Sequence, residues 1–279
     1  MQIIVAKRAG FCFGVKRAID TAFRLAKDME KGVYSLGPII HNPQVVEKLR
    51  KEGVIPTENI HSHKIKTLII RTHGISPEIY KEIYEKGYKI VDATCPFVKK
   101  AQKYVQTLKK ERYQVIILGD KQHPEVRALL GFAGDDAFVL NSGDPLPALK
   151  SKVGLIVQTT QPLESLKKLT CQIIGSVKEL KVYNTICDST TLRLEETKKL
   201  AKIVDLLIVV GGKNSANTTQ LTVISKTICA KVYHIERAEE IRSTWFKGVE
   251  KAGVTGGAST PQWIIDGVVE KLGEISCRR

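Results

Sequence analysis

The chain has 279 residues, 43% of them apolar, enough for a buried core and too many for a disordered polymer. Lys and Arg number 44 against 29 Asp and Glu, and the net charge of +15 favours an anionic partner: nucleic acid, an acidic protein or a phosphorylated small molecule. Aromatics are only 6%, no long Lys/Arg block occurs, and the longest strongly apolar run is 206–210, so no nucleic-acid partner, signal peptide or membrane span is expected.

The predicted elements follow one pattern three times over. A strand over 2–5 leads to Cys12 in Gly10-Phe11-Cys12-Phe13-Gly14, then to a helix over 15–30 with Val15, Ala18, Ile19, Ala22, Phe23 and Ala26 at helical spacing. A strand over 33–36 ends at Gly37 ahead of His41, and another over 67–72 precedes His73-Gly74. The second round begins with a strand over 88–91, Cys95-Pro96, and a helix with Val98, Ala101, Val105 and Leu108 on one face. It continues through a strand over 115–118, Gly119 and His123, then a strand over 154–157 before Gln158-Thr159-Thr160. The third has a strand over 181–183, Cys187, and a helix with Thr197, Leu200, Ala201 and Val204. A strand over 206–210, Gly211 and Asn217 follow, then a strand over 253–255 before Gly256-Gly257-Ala258-Ser259.

Strands alternating with helices argue for parallel α/β units, whose chemistry sits in loops at the carboxyl ends of strands. His41, His123 and Asn217 fall at matched distances from the three cysteines, and His73, Thr159 and Ser259 form a second matched set. Three units facing one central point are expected, rather than a solenoid.

Three thiols remote in sequence can be metal ligands, a redox pair with a spare, or core residues. Intracellular cysteines are not expected to pair as disulfides, and no C-x-x-C occurs among the six here. Flanking glycines, Pro96 and the N-cap candidates Ser189, Thr190 and Thr191 suggest that each thiolate lies near a helix N-terminus, where negative charge is favoured. A cubane cluster usually takes four cysteines; three leave one iron open as a Lewis acid, in a centre that also carries electrons. That pairing suits reductive removal of an allylic hydroxyl. Cys171, Cys229 and Cys277 lie outside the pattern and read as inert structural thiols or, for Cys277, a tail residue.

These residues resemble the hydroxymethylbutenyl diphosphate reductases, the LytB/IspH family of isoprenoid biosynthesis. The matching segments are Gly-Phe-Cys-Phe-Gly-Val (10–15), His41-Asn42, Thr72-His73-Gly74, Asp92 to Pro96, His123-Pro124-Glu125-Val126, Gln158-Thr159-Thr160, Thr185-Ile186-Cys187, Lys213 to Asn217 and Gly257-Ala258-Ser259. The resemblance implies three pseudo-threefold-related α/β units around one [4Fe–4S] cluster held by Cys12, Cys95 and Cys187. The units would span 13–95, 96–186 and 187–270, the last completed by the strand within 1–12. It implies reduction of 4-hydroxy-3-methylbut-2-enyl diphosphate to isopentenyl and dimethylallyl diphosphate, with ferredoxin or flavodoxin as electron donor. The cytoplasmic setting is expected from the lack of a signal-peptide core and of a membrane-spanning run.

By position, His41, His73, His123, Ser215, Ala216 through its backbone N–H, Asn217 and Ser259 would bind the diphosphate. Glu125 would supply a proton and Thr159 would link it to the substrate hydroxyl. The family's usual Ser-Ser-Asn reads Ser215-Ala216-Asn217 here. His61 and His63 read as solvated loop residues and His234 as structural. Two other readings compete: a redox-neutral cluster dehydratase, and a basic RNA-binding protein with a sensory cluster.

Overall fold

The computed structural model describes residues 1–28, 32–61 and 64–277. In chain order the elements are β1 (Gln2–Val5), α1 (Phe13–Asp28), β2 (Val33–Leu36), α2 (Pro43–Lys51), β3 (Val54–Thr57), β4 (Thr67–Ile70), α3 (Pro77–Glu85), β5 (Lys89–Asp92), α4 (Pro96–Lys110) and β6 (Gln114–Leu118). Then come α5 (Pro124–Ala133), β7 (Phe138–Leu140), β8 (Lys152–Val157), α6 (Leu163–Ile174), β9 (Glu179–Tyr183), α7 (Asp188–Ala201), β10 (Leu206–Val210), α8 (Ala216–Lys226), β11 (Lys231–Ile235), β12 (Lys251–Gly256) and α9 (Gln262–Cys277). The expected end of the first helix at residue 30, and His63, lie outside the described residues. None of the described helices is long and apolar enough to cross a membrane.

The strands form three four-stranded sheets, ordered β3-β2-β4-β5, β7-β6-β8-β9 and β11-β10-β12-β1. Every pairing is parallel, so the α/β class expected from the alternation is the one adopted. All three share one topology. The first strand of each set is flanked by the second on one side and the third on the other, with the fourth at the edge. In the last sheet β1 takes the fourth place, pairing Gln2 with Lys251 through Val5 with Val254.

Contacts divide the chain into two compact units. The first is Met1–Lys16, Ile40–Lys48 and Asp188–Arg279; the second is Arg17–Ile39 and Leu49–Cys187. The first unit holds the β11-β10-β12-β1 sheet. All five residues of β10 are buried, and they alternate between two cores. Leu206, Ile208 and Val210 join Phe246, Ile265 and Leu272 on one face, while Leu207 and Val209 join Leu200 and Leu221 on the other. In the second unit β6 behaves alike: Val115 and Ile117 pack with Leu108 and Leu129, and Ile116 and Leu118 with Leu166 and Leu169.

Helix starts are written in the sequence. Ser76 caps α3 by accepting the Ile79 N–H at 3.4 Å, and Pro77, Pro96 and Pro124 open α3, α4 and α5, where no amide partner is needed. The buried stripe of α4 is Val98, Ala101, Val105 and Leu108, the set picked out by its spacing. Strands β3 and β7 leave little trace in the pattern: β3 carries Pro56 at a sheet edge, and β7 is three residues long. Helix α7 begins at Asp188, directly after Cys187, so Ser189, Thr190 and Thr191 lie inside its first turn and are not its caps. The acidic side chain of Asp188 supplies the negative charge favoured there.

Candidate functional site

In each sheet the loops after the first and third strands leave from neighbouring strands whose connections run in opposite directions. That is the crevice where open parallel sheets bind ligands. His41, His123 and Asn217 follow β2, β6 and β10; His73, Thr159 and Ser259 follow β4, β8 and β12. The cysteines follow the edge strands β1, β5 and β9 and precede α1, α4 and α7.

One hydrogen bond recurs in all three sheets and ties the thiol loop to the crevice loop. The Cys12 N–H donates to the Ala258 carbonyl at 3.1 Å, the Cys95 N–H to Thr72 at 3.0 Å, and the Cys187 N–H to Thr159 at 3.0 Å. Each acceptor lies two residues beyond the end of its strand, at Ile70, Val157 and Gly256. By this register Thr160, rather than Thr159, is the counterpart of His73 and Ser259. Sequence distance misses this because the intervening loops differ in length.

In the second unit, Glu125 is buried in the first turn of α5. The Thr159 N–H donates to its Oε1 at 2.7 Å, and the Thr159 hydroxyl donates to its Oε2 at 2.8 Å. Burial pushes the carboxyl up to about 7, because dehydration penalises the charged form more than two hydrogen bonds favour it. A group at that value holds and releases a proton near neutrality. His123 is the N-cap of α5, and its Nδ1 accepts the Glu125 N–H at 3.2 Å. That bond places the neutral ring's proton on Nε2 and makes that edge a donor. His73 packs edge-on against His123, with ring centroids 5.3 Å apart and planes at 86°. Gly119 is required beneath this loop. A Cβ there would meet Val126 Cγ2 and Gln158 Oε1 at 2.8 Å, and that Gln158 oxygen accepts the Asp120 N–H at 3.0 Å.

In the first unit, Ser215 is the N-cap of α8 and accepts the Thr218 N–H at 3.4 Å, so Ala216 is the first helical residue. Helix N-termini present backbone N–H groups and a positive dipole end to anions. The Ser259 hydroxyl lies 3.4 Å from Ser215 Oγ and 3.3 Å from the His41 carbonyl. Gly212 leaves room for that carbonyl, which a Cβ would approach to 2.6 Å. Asn217 Oδ1 accepts the Ala258 N–H at 3.0 Å, while its Nδ2 is buried with no hydrogen-bond partner among the described residues. An amide donor left so is suited to a ligand's oxygen.

Arg193 on α7 gives no sequence signal, because its acceptors come from distant segments. Its Nη1 donates to the Gly256 carbonyl at 2.8 Å and to that of Arg8, and its Nη2 to that of Gly10 at 2.9 Å. This buried side chain fixes the loop leading to Cys12 onto the end of β12.

None of the six cysteines forms a disulfide, and their settings separate them. Cys12, Cys95 and Cys187 are half-buried at helix starts, and Cys95 heads α4 without capping it through its sulfur. Cys229 is buried, its Sγ 3.7 and 3.6 Å from the Val204 and Lys231 carbonyls. Cys171 and Cys277 are exposed, so Cys171 is a surface thiol rather than a structural one. His61 is exposed and 3.4 Å from Glu82, and His234 bonds the Gly211 carbonyl at 2.9 Å.

Residues 3–273 match the family model described as LytB protein. A relative from Pelobacter propionicus named 4-hydroxy-3-methylbut-2-enyl diphosphate reductase is 49% identical over 278 residues, covering 99% of both chains. One of the same name from Citrifermentans bemidjiense is 47% identical, covering 99% of this chain and 98% of its own. A solved (E)-4-hydroxy-3-methyl-but-2-enyl diphosphate reductase, described as the terminal enzyme of the non-mevalonate pathway, is 44% identical with a TM-score of 0.72, covering 98% of this chain and all of its own. The E-1-hydroxy-2-methyl-but-2-enyl-4-diphosphate reductase structure from Plasmodium falciparum is 30% identical with a TM-score of 0.90, covering 96% and 87%.

Proposed function

The chain belongs to the LytB protein family, and from that premise we infer that it reduces 4-hydroxy-3-methylbut-2-enyl diphosphate, the terminal step of the non-mevalonate route to isoprenoids. The reaction takes two electrons and two protons, releases the hydroxyl as water, and yields isopentenyl and dimethylallyl diphosphate. The observation that carries this reading is the Glu125–Thr159–Cys187 link. A carboxyl that holds its proton near pH 7 bonds a hydroxyl whose own backbone carbonyl anchors a thiol loop.

The family works with an iron–sulfur cluster, and the donor chemistry fits one: three half-buried thiols at helix starts, each behind the same backbone bond. Cys12, Cys95 and Cys187 are the proposed ligands of one [4Fe–4S] cluster per chain, with one iron lacking a cysteine. When bound, such a cluster supplies electrons and a Lewis-acidic site for the substrate oxygen. Ferredoxin or flavodoxin is the proposed donor and the cytoplasm the proposed setting.

The protein's own groups bind the substrate and deliver the proton. Ser215, the first-turn N–H of Ala216, Asn217 Nδ2 and Ser259, together with His41, His73 and His123, would hold the diphosphate by hydrogen bonds. Because Oε1 of Glu125 is held by a backbone N–H, the protonated acid would carry its hydrogen on Oε2. The 2.8 Å bond to Thr159 then runs the other way, from Oε2–H to Oγ1, which frees the Thr159 hydrogen for the substrate. That hydroxyl relays the proton to the departing oxygen.

Anaerobic assay with reduced viologen tests the reading. We expect turnover that requires the reductant and purified protein containing iron and sulfide. Water loss from the substrate without reductant would identify a dehydratase instead.

A further inference from the structure

A groove of about 590 Å³ opens on the second unit, beside the Cys95 loop. Its wall includes Asp92 and Thr94, the latter adjacent in sequence to the thiol. That wall is stiff: Asp92 accepts the Thr94 N–H at 2.9 Å and pairs with Lys99 at 2.6 Å, while Arg17 Nη2 donates to the Thr94 carbonyl at 2.5 Å. Across from it, α3 presents Tyr80 and Tyr84, 44% and 73% exposed, a large apolar area for a single short helix. Lys81, Lys99 and Lys103 line the groove with Asp92 as the one acidic lining residue, and Lys81 also lies 3.9 Å from Glu85 just outside it, so the lining itself carries a net positive charge.

Resting on the reductase reading, we propose that this groove is the docking site of the electron donor, an acidic electron-carrier protein that seats an apolar or aromatic tip between Tyr84 and Thr94. Three observations converge on that occupant. The reaction consumes electrons that the substrate does not bring. The wall residue Thr94 is the chain neighbour of Cys95, a thiol assigned to the redox centre. The rim charge is complementary to a carboxylate-ringed tip, which steers encounter more than it sets affinity.

The holoenzyme is assayed twice, with reduced flavodoxin or ferredoxin and with reduced methyl viologen, which needs no docking site. Lys81→Glu, Lys103→Glu and Tyr84→Ala change exposed residues that belong to neither the assigned catalytic nor the assigned substrate-binding set. We expect each to raise the KM for the carrier protein by roughly 10-fold, more at low salt for the two charge reversals, with viologen-driven turnover unchanged. Flavin-fluorescence titration of flavodoxin with the holoenzyme should show the same weakening without turnover. Unchanged KM and titration for both carriers would overturn the docking site while leaving the reductase reading intact. Absence of viologen-driven turnover in the parent protein would overturn the reductase reading itself. Salt-sensitive RNA retention lost in the same variants, with carrier kinetics unchanged, would assign the groove to nucleic acid.

Discussion

At the scale of the residue, the chemistry depends on a carboxyl kept dry. Glu125 sits at about 7 in the fold against an ordinary value of 4.5, because burial outweighs its two Thr159 hydrogen bonds. Turnover limited by its proton therefore falls as pH rises through about 7, and a pH profile of kcat in the viologen assay checks this. Glu125→Gln keeps the shape but has no proton to give. We expect turnover lower by about 10²- to 10⁴-fold at unchanged iron content. The same shift bears on stability. A carboxyl whose value rises on folding contributes stability fully below 4.5 and loses it as pH climbs through about 7, so urea midpoints of Glu125→Gln should vary less over that interval than those of the parent. Among the thiols, Cys12→Ser should abolish the visible absorbance of the cluster, whereas Cys229→Ser, which changes a thiol satisfied by two carbonyls, should retain it.

At the scale of the element, each sheet is built to aim loops, and small residues let its layers close. Gly154 lies on central strand β8, where a Cβ would stand 2.5 Å from Leu108 Cδ2 of α4. Gly154→Ala is expected to destabilise by about 1–3 kcal/mol, read from denaturant unfolding, because a full core has nowhere to move the leucine. Arg193 is the strut of the first unit. Arg193→Met keeps much of the apolar stem but leaves the carbonyls of Arg8, Gly10 and Gly256 without their charged donor. Its expected signature is faster iron release to a chelator, as the loop ahead of Cys12 loosens. The helix starts and the buried stripe of α4 were legible from Pro, Ser and spacing alone. The partners of Arg193 were not, since two come from the N-terminal loop and one from the end of β12.

At the scale of the whole molecule, one strand has travelled. β1 fills in its sheet the place that β5 and β9 fill in theirs, so the third repeat closes through the N-terminal segment. The chain start lies against the last helix: the Met1 ammonium donates to Ser276 Oγ at 3.1 Å, and that hydroxyl donates back to the Met1 carbonyl at 3.3 Å. A circular permutant that joins the two ends by a short flexible linker and opens at the Gly143 turn should therefore fold, with circular dichroism and cluster loading like the parent's. The sequence by itself determined the α/β class, the threefold recurrence of thiol and polar loop, and the family, because strand–helix alternation, glycine at strand ends and cysteine placement are local patterns that survive in one dimension. Tertiary structure decided that the strand order is the same three times, that each cysteine amide hangs from the second residue past its neighbouring strand, and that Glu125 is dry enough to titrate near 7. Those are properties of pairing and burial, fixed only when segments far apart in the chain exclude water from one another.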